Sequence, residues 1–310
     1  MAKILLATNF YPHLLAACLA REGHQVFFAK AYPPTALHAQ KFDLIMAGQA
    51  LLPAATIQAR PLTAYRYHGG HALKWLALAQ KMSAAVIYLS SAVVYGAQRD
   101  AHEASPLHPC EVQAQSLVAS EAMVAAAQVP ALILRSSEII LDEASLALAH
   151  TRSEQQDLKQ NTSILQTLAN AILQQTKFTL AGSDYPTPDG TALYDLLPLS
   201  TFLKAIVASV TYLGQAQANG LHPPAIFNLG TGQSTSVRQM MMMAETLAQR
   251  PMAYHLGPRP SGGYGQIGLN PHKTQTTFGV ALNAISLEAA LRAAFQQAAL
   301  NFSSPAIARP

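Results

Sequence analysis

The sequence has little cysteine and no long apolar run, and each shortage excludes a class of protein. Its 310 residues include two cysteines, Cys18 and Cys110, and neither lies in a motif with the spacing of metal ligands. We therefore expect free thiols in a reducing compartment rather than a disulfide framework or a metal site. No apolar run approaches the roughly 20 residues that cross a bilayer, so no membrane span is expected.

The chain is also poor in charge. Charged residues make up 12% of it and hydrophobic residues 50%, a ratio that provides for a sizeable core and excludes wholesale disorder. The formal net charge is +4, but no run of Lys or Arg concentrates it, so nucleic acid is not expected as a partner. The apolar start, residues 1–6, is too short for a signal peptide, which predicts a cytoplasmic protein.

Short apolar segments alternate with helical patterns through the first 140 residues. The predicted strands lie at 3–8, 25–29, 42–46, 85–89 and 131–134, and helices are predicted at 13–22, 70–82 and 113–127. This alternation is typical of βαβ units, so the fold class is α/β with a Rossmann-like, doubly wound parallel sheet. We expect residues 1–140 to form this core and residues 141–310 a smaller substrate-type α/β lobe, with about 191–232 returning to the core.

Four segments in a fixed order carry a family resemblance. Residues 90–96 have the pattern Ser-Ser-x-x-x-Tyr-Gly, and residues 184–191 have the pattern Asp-Tyr-Pro-Thr-x-Asp-Gly-Thr. Residues 227–232 have the pattern Phe-Asn-x-Gly-x-Gly, and residues 257–262 are similar to a Pro-x-Arg-x-Gly-Asp phosphate loop. Together they resemble the extended short-chain dehydrogenase/reductase family, and within it the UDP-glucose 4-epimerases.

The resemblance implies hydride transfer between a nicotinamide ring and a sugar carbon. In that family the base is a Tyr, and a Lys four residues later on the same helix face lowers its pKa. A Ser at the end of the preceding strand binds the reacting hydroxyl, and Ser91 matches it. Gln113 stands at the Tyr position and Leu117 at the Lys position. Neither can act as a base or assist one, so we expect the family's reaction to be lost.

The loop after the first strand also lacks the glycines of a dinucleotide site. Closely spaced glycines let pyrophosphate approach the N-terminus of the following helix. Here no glycine precedes Gly23, and Phe10 and Tyr11 would fill the space of the phosphates. We therefore expect no cofactor. The remaining candidate cofactor contacts are Thr8, Asn9 and Lys30.

On the sugar-nucleotide side, the resemblance implies a few further contacts. Arg259 is the candidate diphosphate clamp and Asn161 a candidate substrate contact, while Leu193 and Tyr194 stand where the family has its other arginine clamp. Glu138 replaces an asparagine that follows a strand in the family.

Three functional hypotheses follow. The first is a catalytically degenerate epimerase relative that serves as a binding, regulatory or structural subunit. The alternative is an active but atypical NAD(P)-dependent nucleotide-sugar epimerase or reductase, in which Tyr95 or Tyr11 would have to replace the base. The third is a protein-interaction module, with the helix that carries four consecutive methionines at 240–243 or the glutamine-rich segment 143–161 as its surface.

As partners we expect a second copy, through the helices near Leu78 and Leu117, or a larger protein assembly.

Overall fold

The computed structural model describes residues 1–31, 37, 40–160, 163–218, 220, 225–260 and 263–303. The strands are β1 (Lys3–Thr8), β2 (Gln25–Phe28), β3 (Leu44–Gly48), β4 (Ala85–Ser91), β5 (Gln98–Ala101), β6 (Ala131–Ser136), β7 (Glu138–Ile140), β8 (Phe178–Ala181), β9 (Leu193–Pro198), β10 (Ala225–Leu229), β11 (Ser234–Ser236), β12 (Tyr254–Gly257) and β13 (Gln266–Leu269). The helices are α1 (Pro12–Arg21), α2 (Ala54–Ala59), α3 (Leu62–Met82), α4 (Val112–Ala126), α5 (Glu143–Leu148), α6 (Arg152–Gln160), α7 (Ile164–Leu173), α8 (Leu199–Ala218), α9 (Val237–Ala248), α10 (His272–Phe278) and α11 (Leu287–Ser303).

Six parallel strands form the central sheet, in the spatial order β10-β6-β4-β3-β1-β2. The inner strands are almost entirely buried, as expected for a parallel sheet that helices cover on both faces. One face packs against α1 and α8, and the other against α3 and α4. The doubly wound α/β class predicted from the alternating pattern is thereby confirmed.

The remaining strands form a five-stranded path, β11-β9-β13-β5 with β7 beside β9, and a two-stranded sheet of β8 and β12. Helices α7, α9 and α11 pack around these strands in a separate apolar cluster. The sequence did not predict β5, β7, β9, β11, β12 and β13. All of these except the six-residue β9 have three or four residues, too few for a period to be recognised, and distant segments of the chain pair with them. The domain boundary near residue 140 stays a prediction.

Helix α3 is longer than the sequence pattern predicted. It begins at Leu62 rather than at Gly70 and continues through the Gly69-Gly70 pair. Glycine disfavours a helix interior, but here tertiary packing against α4 outweighs that preference. A Cβ added at Gly69 would lie 3.6 Å from the terminal methyl of Met123 on α4, an ordinary van der Waals distance, so Gly69 lies in the contact between the two helices.

A buried polar network ties β4, α4 and β6 together behind the end of the sheet. The hydroxyl of Ser90 donates to Glu121 at 2.6 Å, and the guanidinium of Arg135 donates to the same carboxylate from two nitrogens. Arg135 also donates to the hydroxyl of Tyr95 at 2.8 Å, and that hydroxyl donates to Asn228 at 2.8 Å. All five side chains are buried. The Tyr of the 90–96 motif and the Asn of the 227–232 motif therefore serve the architecture.

Among the described residues, no helix is both long enough and apolar enough to span a membrane. The cytoplasmic location stays a prediction.

The Glu121–Arg135 pair provides a stability test with a matched control. Glu121→Gln leaves Arg135 charged and 3% exposed, without its counter-ion, and should lower the free energy of unfolding by about 3–5 kcal/mol in urea titrations. The same substitution at Glu288, whose partner Arg292 is 66% exposed, should cost less than about 1 kcal/mol. Equal losses at the two positions would contradict a dominant role for the buried pair.

Candidate functional site

A cavity of about 830 Å³ lies at the carboxyl ends of β4 and β6, where ligands bind in open α/β sheets. The C-terminal strands and α7 close its other side. Ser91, the last residue of β4, lines the cavity, and its hydroxyl accepts a hydrogen bond from the Val93 amide at 3.4 Å. The aromatic residues in the wall are Phe10, Tyr11, Phe178, Tyr185, Tyr194 and Tyr264.

The N-terminus of α1 is the place where a Rossmann fold holds the pyrophosphate of a dinucleotide. In this protein a side chain takes that place. One carboxylate oxygen of Asp157, on α6, accepts hydrogen bonds from the backbone amides of His13 at 2.7 Å and Leu14 at 3.0 Å. The other oxygen lies 2.9 Å from Nδ1 of His13. Asp157 is 1% exposed, so the first turn of α1 is already occupied by a buried anion.

The loop between β1 and α1 is closed by its own side chains. The hydroxyl of Thr8 accepts from the Phe10 amide at 3.1 Å. Asn9 accepts from the Ala50 amide at 2.7 Å and donates to the Tyr67 hydroxyl at 2.9 Å. Both candidate cofactor contacts are therefore engaged within the protein.

Tyr11 is the last residue of this loop and directly precedes α1. It has a positive φ of 43° and is 3% exposed. The following Pro12 is well placed at the first helical position, because its missing amide would have no partner there. A bulky buried ring thus stands where the fold's dinucleotide-binding members need a glycine.

Gln113 has a definite structural role at the position of the family's base. Its side-chain carbonyl accepts from the Leu52 amide, and its amide nitrogen donates to the Leu52 carbonyl at 3.0 Å. This two-bond clamp fixes the segment after β3, and Leu52 itself lines the cavity. A tyrosine could not form the same pair, because its hydroxyl reaches only one backbone group in this way.

Leu117, at the position of the family's lysine, is 1% exposed and belongs to an apolar cluster with Val94, Ala101 and Leu269. An ammonium group would have no solvent there. On this face of α4, Gln113 is therefore hydrogen-bonded to the backbone of Leu52, and Leu117 is packed in the apolar core.

None of the tyrosines near the site is poised as a base. Tyr95 is fully buried, and its hydroxyl is occupied by Asn228 and Arg135. Burial raises the pKa of Tyr11, and the nearby Glu138 and Asp157 raise it further. Burial likewise raises the pKa of Tyr194. A general base needs a pKa near the working pH, and these shifts go in the opposite direction.

The other candidates are dispersed. Lys30 is exposed on a 3-10 turn after β2. Arg259 forms an ion pair with Asp184 at 2.6 Å, and its guanidinium lies 4.5 Å from the ring centroid of Tyr185. Asn161 lies outside the described residues. Within the described ranges, no group of three or more His, Cys, Asp or Glu residues could hold a metal ion.

The segment at 184–191, which carries the most specific resemblance, also has a structural role. One oxygen of Asp189 accepts from the amide and hydroxyl of Thr191 at 2.9 and 2.7 Å. The other accepts from the hydroxyl of Ser236, which caps α9. The motif thereby joins the loop to the start of a helix.

Sequence reasoning did not identify Asp157. It lies in a polar, glutamine-rich stretch and matches no motif. Glu111 was also missed. It precedes α4, lines the cavity, and burial raises the pKa of its carboxyl.

Removing the carboxylate at α1 should have two measurable effects. Asp157→Ala should lower the free energy of unfolding by about 2 kcal/mol, because two backbone amides lose a charged acceptor. Phosphate at constant ionic strength should stabilise this variant more than the unmodified protein, since the vacated amides can bind it. The control is Glu143→Ala, which removes an exposed acid from the first turn of α5. No loss of stability in Asp157→Ala would contradict the role given to this carboxylate.

The curated relatives that this chain resembles are UDP-glucose 4-epimerases. No family model matches the chain. The UDP-glucose 4-epimerase of Lactobacillus helveticus is 24% identical over 255 residues, which cover 78% of this chain and 73% of the relative. That of Neisseria gonorrhoeae is 26% identical over 223 residues, 69% of this chain and 64% of the relative.

Two solved structures share the fold over nearly the whole chain. The UDP-glucose 4-epimerase of Bifidobacterium longum, in complex with NAD+ and UDP, has a TM-score of 0.77 at 18% identity and covers 96% of this chain and 99% of its own. That of Stenotrophomonas maltophila, with bound NAD and formylated UDP-arabinopyranose, has a TM-score of 0.79 at 18% identity, covering 98% and 100%. The family resemblance drawn from the sequence motifs is confirmed.

Proposed function

We propose that the chain is a catalytically degenerate relative of the UDP-glucose 4-epimerases of the extended short-chain dehydrogenase/reductase family, which binds no nicotinamide cofactor and acts as a binding, regulatory or structural subunit. The solved epimerases of Bifidobacterium longum and Stenotrophomonas maltophila are complexes with NAD.

The observation that carries this proposal is the carboxylate of Asp157 at the N-terminus of α1. A dinucleotide needs that helix end free, because its pyrophosphate accepts hydrogen bonds from the first backbone amides. Here the amides of His13 and Leu14 already donate to a buried carboxylate. Pyrophosphate would have to displace a hydrogen-bonded acid and would meet its negative charge at close range. The residues present do not fit the cofactor.

The second support is the chemistry of α4. Gln113 cannot take up a proton at physiological pH, and its side-chain amide accepts from and donates to the backbone of Leu52. Leu117 carries no charge and packs in an apolar cluster. Changes at the cofactor site and at the catalytic pair are separate, and both remove a requirement of hydride transfer.

The alternative is an active, atypical NAD(P)-dependent nucleotide-sugar epimerase. Ser91 favours it, because the serine lines the cavity at the end of β4. It requires another base, and the two tyrosines considered for that role are unsuited to it. The hydroxyl of Tyr95 is held in the buried network, and burial raises the pKa of Tyr11.

The two functions differ in whether a nicotinamide cofactor binds. We expect mass spectrometry of small molecules released from the denatured protein to detect no NAD(H) or NADP(H). These cofactors should also leave the melting temperature unchanged, whereas NAD+ should raise that of the epimerase of Bifidobacterium longum, the positive control, whose solved structure contains it. Co-purified nicotinamide cofactor, or turnover of UDP-glucose that Ser91→Ala abolishes, would overturn the proposal in favour of the alternative.

For a partner we propose a second copy of the chain, joined through α3 and α4. Leu78 and Leu117 are themselves buried, so the contact would use the outward side of the two helices. Large apolar side chains are exposed there, with Leu62 78% and Leu73 62% exposed, and Met123 lies beside them at 36%. Exposed apolar side chains on neighbouring helices favour association.

Light scattering after gel filtration should give twice the chain mass of 33.1 kDa. Leu73→Glu should shift the protein to the monomer mass, because it buries a charge in the contact. Leu256→Glu is the control, since Leu256 is 63% exposed on β12, away from these helices. A monomer mass for the unmodified protein would exclude this homodimer, and a pull-down would then test for a larger assembly.

A further inference from the structure

The large cavity has an unusual charge for a relative of sugar-nucleotide enzymes. None of the described residues that line it is a Lys, Arg or His. Its charged lining residues are the acids Glu111, Glu138 and Asp195. A nucleotide diphosphate carries at least two negative charges and needs cationic or amide donors around its phosphates. This wall offers carboxyl groups instead. Burial raises the pKa of all three, and a bound cation would favour their ionised form.

Arg259 does not supply the missing positive charge to the cavity wall. Arg259 precedes Pro260 in the cavity wall, but its guanidinium donates to both the carboxylate and the backbone carbonyl of Asp184. Its charge is thus matched by a neighbouring acid. Asp195 is likewise engaged, because its two oxygens accept from Thr231 and from the amides of Gly232 and Leu269.

Glu111 and Glu138 remain as the acids that face the space. Glu111 occupies the position before α4, yet its side chain does not cap that helix. Glu138 uses one oxygen to accept from the Ile164 amide at 3.1 Å. Both acids line the cavity, as does Tyr194.

The rest of the lining is suited to an apolar or aromatic body. Phe10 and Tyr11 approach from the β1–α1 loop, and Phe178, Tyr185 and Tyr264 from the C-terminal half. Aromatic faces attract organic cations, and a cavity of about 830 Å³ is in the size range of small-molecule sites.

From this lining we propose that the cavity binds an organic amine, a cation with an apolar or aromatic body, whose ammonium group pairs with Glu138. Amine binding goes beyond the proposed function. It rests on that function only because NAD must not occupy the cavity.

A charge series of closely matched probes tests the inference on the full-length chain. Tyramine carries an ammonium group, tyrosol is its neutral counterpart with a hydroxyl in place of the amine, and 4-hydroxyphenylacetate is an anion. Titration calorimetry at neutral pH should give tyramine a dissociation constant about tenfold below that of tyrosol, a difference of about 1.4 kcal/mol. The anion should show no binding.

The matched variant is Glu138→Gln, which keeps an oxygen to accept from the Ile164 amide and removes the charge. It should weaken tyramine binding about tenfold and leave tyrosol binding unchanged. Glu22→Gln, at an exposed acid after α1, is the control and should change neither. The inference would be overturned if tyramine did not bind, if tyramine and tyrosol bound equally, or if the anion bound more tightly. It would also be overturned if Glu138→Gln left the affinity for tyramine unchanged.

UDP-glucose is the fourth probe. Saturable binding of UDP-glucose in the cavity would overturn the amine inference and support the alternative enzyme function. Failure of the amine probes alone would leave the proposed loss of the redox step standing, because that loss depends on NAD binding, which is measured separately.

Discussion

The first turn of α1 imposes the constraint on which the rest of the site depends. Its backbone amides have no partner within the helix, so an acceptor from elsewhere has to satisfy them. In a dinucleotide-binding fold the ligand does this, and in this protein Asp157 does it from a position 144 residues along the chain. The helix end is thereby stabilised whether or not a ligand is present. The closed loop around Asn9 and the buried ring of Tyr11 are compatible with that arrangement.

The family-motif residues that are present in this chain have structural roles, whereas the positions that differ are those whose family residues serve the reaction. Tyr95 and Asn228 belong to a buried network, and Asp189 joins its loop to Ser236 at the start of α9. Their loss would leave buried polar groups without partners, which is costly in any member of the fold. Gln113 and Leu117 stand at positions whose family residues serve the reaction, and both have new packing or hydrogen-bonding roles. The residues of these family motifs therefore contribute to stability, whatever chemistry accompanies them.

Much of the architecture and part of the site could be predicted from the residues. The alternation of apolar runs and helical patterns predicted the parallel sheet, because strands covered on both faces are continuously apolar. The motif at 90–96 predicted that Ser91 ends a strand, as it does in β4. Motif spacing also aligned Gln113 and Leu117 with the Tyr and Lys of the family. Six strands were missed, and five of them have only three or four residues, which carry too little periodicity. Helix α3 was predicted too short, because the Gly69-Gly70 pair resembles a helix boundary until its packing against α4 is known.

The sequence by itself determined the fold class, the family and the loss of the Tyr and Lys side chains, because these depend on local patterns and residue identities. The tertiary structure alone decided that Asp157 caps α1, that Gln113 holds the backbone of Leu52, and that Glu111 and Glu138 face a cavity whose described lining has no cation. Each of these is a contact or a charge balance between segments far apart in the chain. No local period or spacing encodes such an arrangement, since it arises only when the sheet brings the loops at its carboxyl edge together.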